Sequence, residues 1–401
     1  MTAESFPIRV ADEVLDDLRR RIAATRWPTN VGNDDGLYGF DGVYLRELAR
    51  SWAEDYDWRA AERHINGFRH YRTTLDGVPV HYIREPGVGP NPIPLILSHG
   101  WPSTFWDMHK IIRPLTDPAA FGGDPADAFE VIVPSLPGFA WSTPLPAAGV
   151  SASAAADLWH KLMTEALGFE RYAASGGDWG SRVTSELGHK YAASLYGVHI
   201  LGATPLDLFN HERYWDITAA FVPYDAPEEV RRAVLPFVTK AISHACVQSL
   251  EPQTLSYAMH DSPVGQLAWL MQRWRDWSHC DGDLESEYDR DFLLTTATLF
   301  WVTESFATSV RYYRDAVLYP WAPSHDRTPR VEAPTGITFL GGENPPGVTT
   351  ADRAAIFRES SRAKDYNLHF VNAHDFGGHF GYVENPEACI ADIRATFRGL
   401  R

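Results

Sequence analysis

The chain has 401 residues, 22% of them charged, and its formal net charge is −16 at pH 7. Such an acidic chain repels phosphate backbones and anionic lipid surfaces, which argues against nucleic acid or a membrane as a partner. The length suits one large core with an inserted segment.

Three cysteines, Cys246, Cys280 and Cys389, lie far apart in the sequence. They form no disulfide framework, which predicts a reducing cytoplasm. No spacing typical of metal ligands is found, so we expect neither a metal nor another cofactor. Residues 1–6 lack the features of a signal peptide, and no long apolar run occurs, so we expect a soluble chain.

Residues 1–70 are predicted to form helices and loops. Apolar residues recur at helical spacing from Ala11 to Ala24. Two short strands, 71–74 and 78–83, follow and are joined by Asp76-Gly77, a dipeptide typical of two-residue hairpin turns.

The apolar run at 92–97 is typical of a buried strand, and it leads into Ser98-His99-Gly100-Trp101-Pro102. Glycine before an X-Pro bond lets this loop turn sharply, so that the backbone N–H of Trp101 points into a cleft. An ordinary tight turn with a cis proline is the alternative. The segment 129–134 is predicted to be a further strand.

An aspartate is the central residue of Gly176-Gly177-Asp178-Trp179-Gly180. Small residues two positions before and after it are typical of the sharp strand-to-helix turn that exposes a nucleophile. A predicted strand, 171–175, precedes this turn, and a predicted helix, 181–187, follows it. A carboxylate attacks carbonyls poorly but displaces leaving groups from sp3 carbon, so we expect an alkyl-enzyme ester. The motif alone is equally typical of a glycine-rich turn.

Residues 207–325 are predicted to be helical and rich in aromatic side chains. Aromatic side chains at helical spacing usually pack in a core, although they also suit a bulky apolar ligand. The segments on either side, 71–206 and 326–401, alternate strands and helices, which indicates a mostly parallel sheet. We expect the helices between them to form a lid.

The C-terminal part of the chain offers an acid at a strand end. The apolar strand 333–340 leads into Gly341-Gly342-Glu343, so Glu343 is the predicted acid. Asp352 and Asp375 are the alternatives.

Two histidines, His374 and His379, follow the last predicted strand, 366–371. We prefer His379, because the paired glycines before it let the backbone bring its imidazole close to a cleft. Glu343 is predicted to orient this imidazole and to stabilise its protonated form.

Strand, loop, nucleophile turn, acid and histidine occur in the order of the α/β-hydrolase fold. Along nearly the whole chain, the motifs resemble those of epoxide hydrolases of the microsomal type. The motifs are Tyr56-Asp57-Trp58-Arg59 with Glu62, His99-Gly100-Trp101-Pro102, Gly177-Asp178-Trp179-Gly180, Asp261-Ser262-Pro263-Val264-Gly265 and Gly377-Gly378-His379-Phe380. The resemblance implies an α/β-hydrolase fold with a mostly parallel central sheet, a helical lid and an N-terminal meander.

The resemblance also implies an enzyme that opens an epoxide to a vicinal diol without a cofactor. Asp178 would attack one epoxide carbon, and water activated by His379 would hydrolyse the resulting ester. The backbone N–H groups of Trp101 and Trp179 would hold the oxyanion. The expected partners are water and an apolar or aromatic epoxide, and a homo-oligomer is compatible with the sequence.

In that family two lid tyrosines donate hydrogen bonds to the epoxide oxygen, and Tyr313 matches one of them. His244 occupies the other position, where the chain departs from the family pattern. Either His244 donates the hydrogen bond itself, or Tyr257 or Tyr312 reaches the oxygen, or Tyr313 acts alone.

Two rival functions stay open. Haloalkane dehalogenases also use an aspartate nucleophile followed by a tryptophan, so Asp178-Trp179 alone does not separate the two classes. A ligand-binding relative without catalysis would lack a member of the triad, whereas Asp178, Glu343 and His379 are all present. The N-terminal and lid motifs favour the epoxide hydrolase.

Overall fold

One mixed sheet runs through the computed structural model, which describes residues 3–33, 36–220, 222 and 225–400. Its strands are β1 (Glu4–Ser5), β2 (His70–Leu75), β3 (Val78–Glu85), β4 (Ile93–Ser98), β5 (Phe129–Pro134), β6 (Tyr172–Gly177), β7 (Leu195–Leu201), β8 (Val331–Leu340) and β9 (Tyr366–His374). They lie in the order β1-β2-β3-β5-β4-β6-β7-β8-β9. Strands β4 to β9 are parallel to one another, and β1 to β3 add an antiparallel edge. The predicted mostly parallel sheet is confirmed.

The sequences of the strands explain their places in the sheet. Strands β4 and β5 are apolar along nearly their whole length and almost fully buried, as expected for central strands covered on both faces. Strands β2 and β3 pair from Leu75 opposite Val78, and both turn residues between them, Asp76 and Gly77, have positive φ. The predicted hairpin is therefore present.

Helices cover the sheet and fill the interval between β7 and β8. They are α1 (Asp12–Ala23), α2 (Gly42–Glu54), α3 (Trp58–Ile65), α4 (His109–Thr116), α5 (Ala152–Lys161), α6 (Trp179–Lys190), α7 (Glu228–Leu250), α8 (Pro252–Asp261), α9 (Pro263–Trp277), α10 (Arg290–Val302), α11 (Phe306–Ser309), α12 (Arg311–Leu318), α13 (Thr350–Glu359), α14 (Gly381–Glu384) and α15 (Pro386–Phe397). We call α7 to α12 the inserted helices. Among the described residues, no helix combines the length and apolar character that crossing a bilayer requires.

The N-terminal helices are bonded to the inserted helices. The indole N–H of Trp52 in α2 donates to the hydroxyl of Thr298 in α10 at 2.8 Å. The hydroxyl of Tyr56 lies 2.8 Å from that of Thr295 in the same helix. These buried bonds tie α2 and the turn that follows it to the inserted helices.

The topology brings four loops to one edge of the sheet. Because β4, β6, β8 and β9 are parallel, their carboxyl ends meet at the same edge. The loops that leave these strands carry Trp101, Asp178, Glu343 and His379. The residues that the sequence predicts for the site therefore converge, although Trp101 and His379 are 278 positions apart in the chain.

Candidate active site

Asp178 lies at the turn between β6 and α6. Its backbone has φ 55° and ψ −124°, a conformation that residues other than glycine rarely adopt. A Cβ on Gly176 would lie 2.3 Å from the carbonyl oxygen of Gly180, and one on Gly180 would lie 2.0 Å from that of Ser98. The turn therefore requires glycine at both positions. Gly177 is different, since a Cβ there would meet its nearest neighbour at an ordinary 3.5 Å.

The loop after β4 approaches the carboxylate of Asp178 closely. The backbone N–H of Trp101 donates to Oδ1 of Asp178 at 2.7 Å. A Cβ on Gly100 would lie 2.3 Å from the same oxygen, so glycine is required here too. Trp179 is the first residue of α6, and backbone N–H groups in the first turn of a helix have no partner within that helix. Of the two predicted oxyanion donors, the N–H of Trp101 contacts the carboxylate of Asp178, and Trp179 follows Asp178 directly in the chain.

His379 lies between two carboxylates. Its Nδ1 is 2.8 Å from Oε1 of Glu343, and its Nε2 is 3.4 Å from Oδ2 of Asp178. The other oxygen of Glu343 accepts a hydrogen bond from Arg353 at 3.2 Å. Asp178, His379 and Glu343 therefore form a line of acid, imidazole and acid, as the sequence predicts for a triad.

The charges in this line shift the pKa values of Glu343 and His379. Burial alone would raise the pKa of Glu343, but its bond to His379 and the Arg353 cation lower it to about 2. Burial alone would lower the pKa of His379, but its contacts with Asp178 and Glu343 raise it to about 10. At neutral pH the imidazole is therefore protonated, and its charge together with that of Arg353 offsets the charges of the two carboxylates.

Backbone contacts hold the loop that carries His379. Its N–H donates to the carbonyl of Trp277 at 2.9 Å, and a Cβ on Gly378 would lie 2.6 Å from that oxygen. The buried carboxylate of Glu384 accepts the N–H of Phe380 at 2.9 Å. Burial raises the pKa of Glu384 to about 7. Nothing in the sequence analysis points to Glu384, so this role is evident only from the structure.

The alternative acids, Asp352 and Asp375, and the alternative histidine, His374, lie away from Asp178. His374 is paired with Asp392 at 2.8 Å. Asp352 accepts the hydroxyl of Thr349 at the start of α13, and Asp375 is exposed. The structure does not bring these three candidates to Asp178, because each is held at the surface or by a partner of its own.

Tyr313 and His244 form a hydrogen-bonded pair between α12 and α7. The hydroxyl of Tyr313 lies 2.8 Å from Nε2 of His244, and both side chains are buried. The imidazole of His244 stacks on the indole of Trp101, with ring centroids 5.2 Å apart and planes at 11°. Burial raises the pKa of Tyr313 and lowers that of His244, in each case well beyond the usual value. Both groups are therefore neutral.

The two other tyrosines do not join this pair. Tyr257, a candidate proton donor from the sequence, is 73% exposed on α8 and does not line the cavity described below. The structure does not bring this side chain to the site, because it lies on the outer face of the helix. Tyr312 is buried against Phe139 and Trp179, with ring centroids 5.4 Å and 5.6 Å away, and does not line the cavity either.

A cavity of about 780 Å³ lies between the sheet edge and the inserted helices. Asp178, His379, Tyr313 and His244 all line it. The remaining wall combines charged side chains, such as Arg182, Lys240 and Asp281, with a group of apolar ones. The apolar group includes Leu208, Phe209, Ile217, Val234, Phe237 and Val238. Its volume falls in the range of pockets that bind small organic ligands.

Comparison with known proteins places the chain in a family. Residues 3–108 match the epoxide hydrolase N terminus, and residues 93–276 match the alpha/beta hydrolase fold. A protein of Stigmatella aurantiaca whose name assigns it provisionally to the epoxide hydrolases is 36% identical over 403 residues, covering 99% of this chain and 85% of its own. Epoxide hydrolase 1 of Oryctolagus cuniculus is 29% identical over 415 residues, and the match covers 98% of this chain and 88% of that protein.

Solved structures agree on the fold. Juvenile hormone epoxide hydrolase of Bombyx mori superimposes with a TM-score of 0.77 at 24% identity, covering 100% of this chain and 94% of that one. The epoxide hydrolase of Aspergillus niger superimposes with a TM-score of 0.80 at 22% identity, and the match covers 100% of this chain and 97% of that one. The chain therefore has the α/β-hydrolase fold and belongs to the epoxide hydrolase family of hydrolytic enzymes.

Proposed function

We propose that this chain converts an epoxide to a vicinal diol through a covalent ester on Asp178. The observation that carries the proposal is the setting of the Asp178 carboxylate. Its Oδ1 is held by the backbone N–H of Trp101, while its Oδ2 lies beside His379 at the wall of the large cavity. Oδ2 is thus the oxygen available for attack on an epoxide carbon.

Ring opening needs a proton donor for the epoxide oxygen, and Tyr313 is the proposed donor. Its partner His244 is neutral, so a single N–H must be assigned to one of the two imidazole nitrogens. Nδ1 has no hydrogen-bond partner among the described residues. A buried N–H without a partner is rarer than a buried acceptor without one, so the proton belongs on Nε2.

This tautomer determines what each group does. Nε2–H of His244 donates to the oxygen of Tyr313, which leaves the phenol hydrogen free to bind the epoxide oxygen. The same N–H stabilises the phenolate that forms when Tyr313 gives up its proton. His244 therefore supports Tyr313 instead of replacing the second lid tyrosine as a donor.

Ester formation prepares His379 for the second step. Before it, the carboxylates of Asp178 and Glu343 hold the pKa of His379 at about 10. Alkylation removes the charge of Asp178, so the pKa of His379 falls and its proton passes to the Tyr313 phenolate. Neutral His379 then accepts a proton from water, whose oxygen attacks the ester carbonyl, while Trp101 and Trp179 N–H groups hold the oxyanion.

The substrate is proposed to be an apolar or aromatic epoxide. The cavity volume of about 780 Å³ and the apolar part of its wall support this class. The inserted helices would then act as the lid, and water is the second reactant. A cytoplasmic location stays a prediction from the cysteine content, and no cofactor is needed for these steps.

Mass spectrometry of a His379→Gln variant exposed to styrene oxide tests the proposal. We expect an alkyl adduct to accumulate on the peptide that contains Asp178, because attack survives and hydrolysis fails. His374→Gln is the matched control and should show no accumulation. An unmodified Asp178 peptide despite bound epoxide would contradict the mechanism, and halide release from a chloroalkane without any diol would favour the dehalogenase.

A further inference from the structure

A second, much smaller cavity of about 20 Å³ lies next to the large one. Asp178 and His379 line both cavities, and no other described residue does. The pair therefore forms the wall between them. The small cavity is large enough for one water molecule, which needs about 10–15 Å³ of such volume.

Most polar groups around the small cavity already have partners. His99 uses both ring nitrogens, one toward the carbonyl of Gly100 at 2.9 Å and one toward the N–H of Leu136 at 3.0 Å. The hydroxyl of Tyr382 lies 3.1 Å from that of Ser175. These groups have little capacity left for a ligand.

Two buried polar atoms of the cavity wall differ from these. Oδ2 of Asp107 and Nε2 of His379 make no hydrogen bond to any residue in the described part of the chain, although Nε2 of His379 is ion-paired with Oδ2 of Asp178 at 3.4 Å. Asp107 is 3% exposed, and its Oδ1 accepts the N–H of Thr104 at 3.1 Å. Buried polar atoms are nearly always satisfied by protein or by ordered water, so one molecule that binds both atoms is expected here.

We propose that the small cavity binds the water that hydrolyses the ester on Asp178, and that Asp107 positions this water. The proposal rests on the function proposed above. It assigns the two reactants to two compartments: the epoxide enters the large cavity, and water reaches Asp178 and His379 from the small one. Bulky apolar substrate therefore does not displace the second reactant.

The geometry defines the role of each atom. The water donates one hydrogen to Nε2 of neutral His379 and the other to Oδ2 of Asp107, which leaves a lone pair for Cγ of Asp178. Burial raises the pKa of Asp107 to about 7, so its carboxylate form accepts this hydrogen above that pH. Its oxygen bonds to Cγ as the first proton moves to His379. Cleavage of the bond from Cγ to the diol oxygen follows, and that oxygen takes the proton from His379. The new carboxyl group of Asp178 then gives its proton to His379, which restores the resting ion pair.

Asp107→Asn tests this role with little change in shape. The amide oxygen keeps the hydrogen bond from the backbone N–H of Thr104. The amide NH₂ therefore takes the place of Oδ2 and presents a donor to the water. The water lone pair then faces the amide instead of Cγ. In single-turnover experiments with styrene oxide, we expect ester decay to slow at least about tenfold, since misplaced reactants lose rate steeply, while ester formation changes by less than about threefold.

Two further variants separate this role from a structural one. Thr104→Ala removes the side chain that forms a capping box with Asp107 but does not line the cavity, so ester decay should stay at the wild-type rate. Ser103→Val enlarges a residue of the cavity wall and removes the hydroxyl whose hydrogen bond lowers the pKa of Asp107, so it should slow ester decay as Asp107→Asn does. It also gives a test if Asp107→Asn does not fold.

Three results overturn the proposal: wild-type ester decay in Asp107→Asn, wild-type decay in Ser103→Val, or an equal loss of both steps in Asp107→Asn. These results are distinct from failure of the proposed function. If His379→Gln forms no adduct, the ester mechanism itself is wrong. If His379→Gln accumulates the adduct and Asp107→Asn hydrolyses it normally, only the water site is wrong.

Discussion

Removing the charge of Glu343 tests how the ion-paired line controls the second step. The pKa of His379 is raised from 6.5 to about 10 by two carboxylates, Asp178 and Glu343. That net shift corresponds to about 5 kcal/mol at ~1.4 kcal/mol per pKa unit and already includes the opposing effect of burial, so an even division assigns at least roughly 2 kcal/mol to Glu343. This agrees with the ~1.5–3 kcal/mol typical of a hydrogen bond to a charged group.

In Glu343→Gln the amide retains the shape of the side chain but no longer stabilises the imidazolium that forms as water attacks. A loss of about 2 kcal/mol slows ester hydrolysis roughly 30-fold, while alkylation, which requires no proton transfer to His379, changes little. Rapid-quench measurement of ester formation and decay separates the two steps. Arg353→Met is the control, because it removes the cation beside Glu343 but leaves the bond to His379.

Wild-type ester decay in Glu343→Gln would refute the reasoning, since it would mean that the charge of Glu343 does not reach the reacting atoms. A parallel decline of formation and decay would also contradict it. That pattern would indicate that Glu343 only maintains the position of the loop.

Other predictions follow from single contacts. Gly100→Ala places a Cβ 2.3 Å from Oδ1 of Asp178, so diol formation should fall about 100-fold while circular dichroism stays unchanged. Tyr257→Phe should retain wild-type turnover because that side chain is 73% exposed, whereas Tyr313→Phe should slow alkylation about 100-fold in a rapid-quench assay. The folded pKa of His379 is raised from 6.5 to about 10, so its stabilising effect is complete below pH 6.5 and is lost as the pH rises to about 10. Urea unfolding should therefore show a stability advantage over His379→Gln at pH 6.5 that shrinks by pH 10.

Local signals in the sequence predict the sharp turn and most of the strands, although not β1 or β7. Apolar runs predict β4 to within one residue and β5 over its full length, because central parallel strands are buried on both faces. The glycines around Asp178 and before His379 predict close backbone approach. A Cβ at Gly176, Gly180 or Gly378 would lie within 2.6 Å of a backbone atom of another residue. Chain order then leads to Glu343 without knowledge of any contact.

Contacts between distant helices are not predictable in this way. His244 and Tyr313 are 69 positions apart, and their bond depends on how α7 and α12 pack. Helical periodicity does not give the outward orientation of Tyr257 either. Asp107 lies in a short capped turn at 105–108 that resembles many surface turns in sequence. Its burial beside His379 results from the convergence of β4 and β9 loops, which only the assembled sheet produces.

The unusual backbone conformation of Asp178 places its carboxylate at the boundary between the large and the small cavity. A carboxylate that forms an ester must be reached by an epoxide and later by water, from directions that do not interfere. At φ 55° the side chain projects from the sheet edge, where it lines both the large and the small cavity. A regular helix or strand position would bury one face of the carboxylate against its own element. In the proposed mechanism the strained turn therefore serves both half-reactions, and the cost of order 1–3 kcal/mol for such a conformation is offset by the surrounding fold.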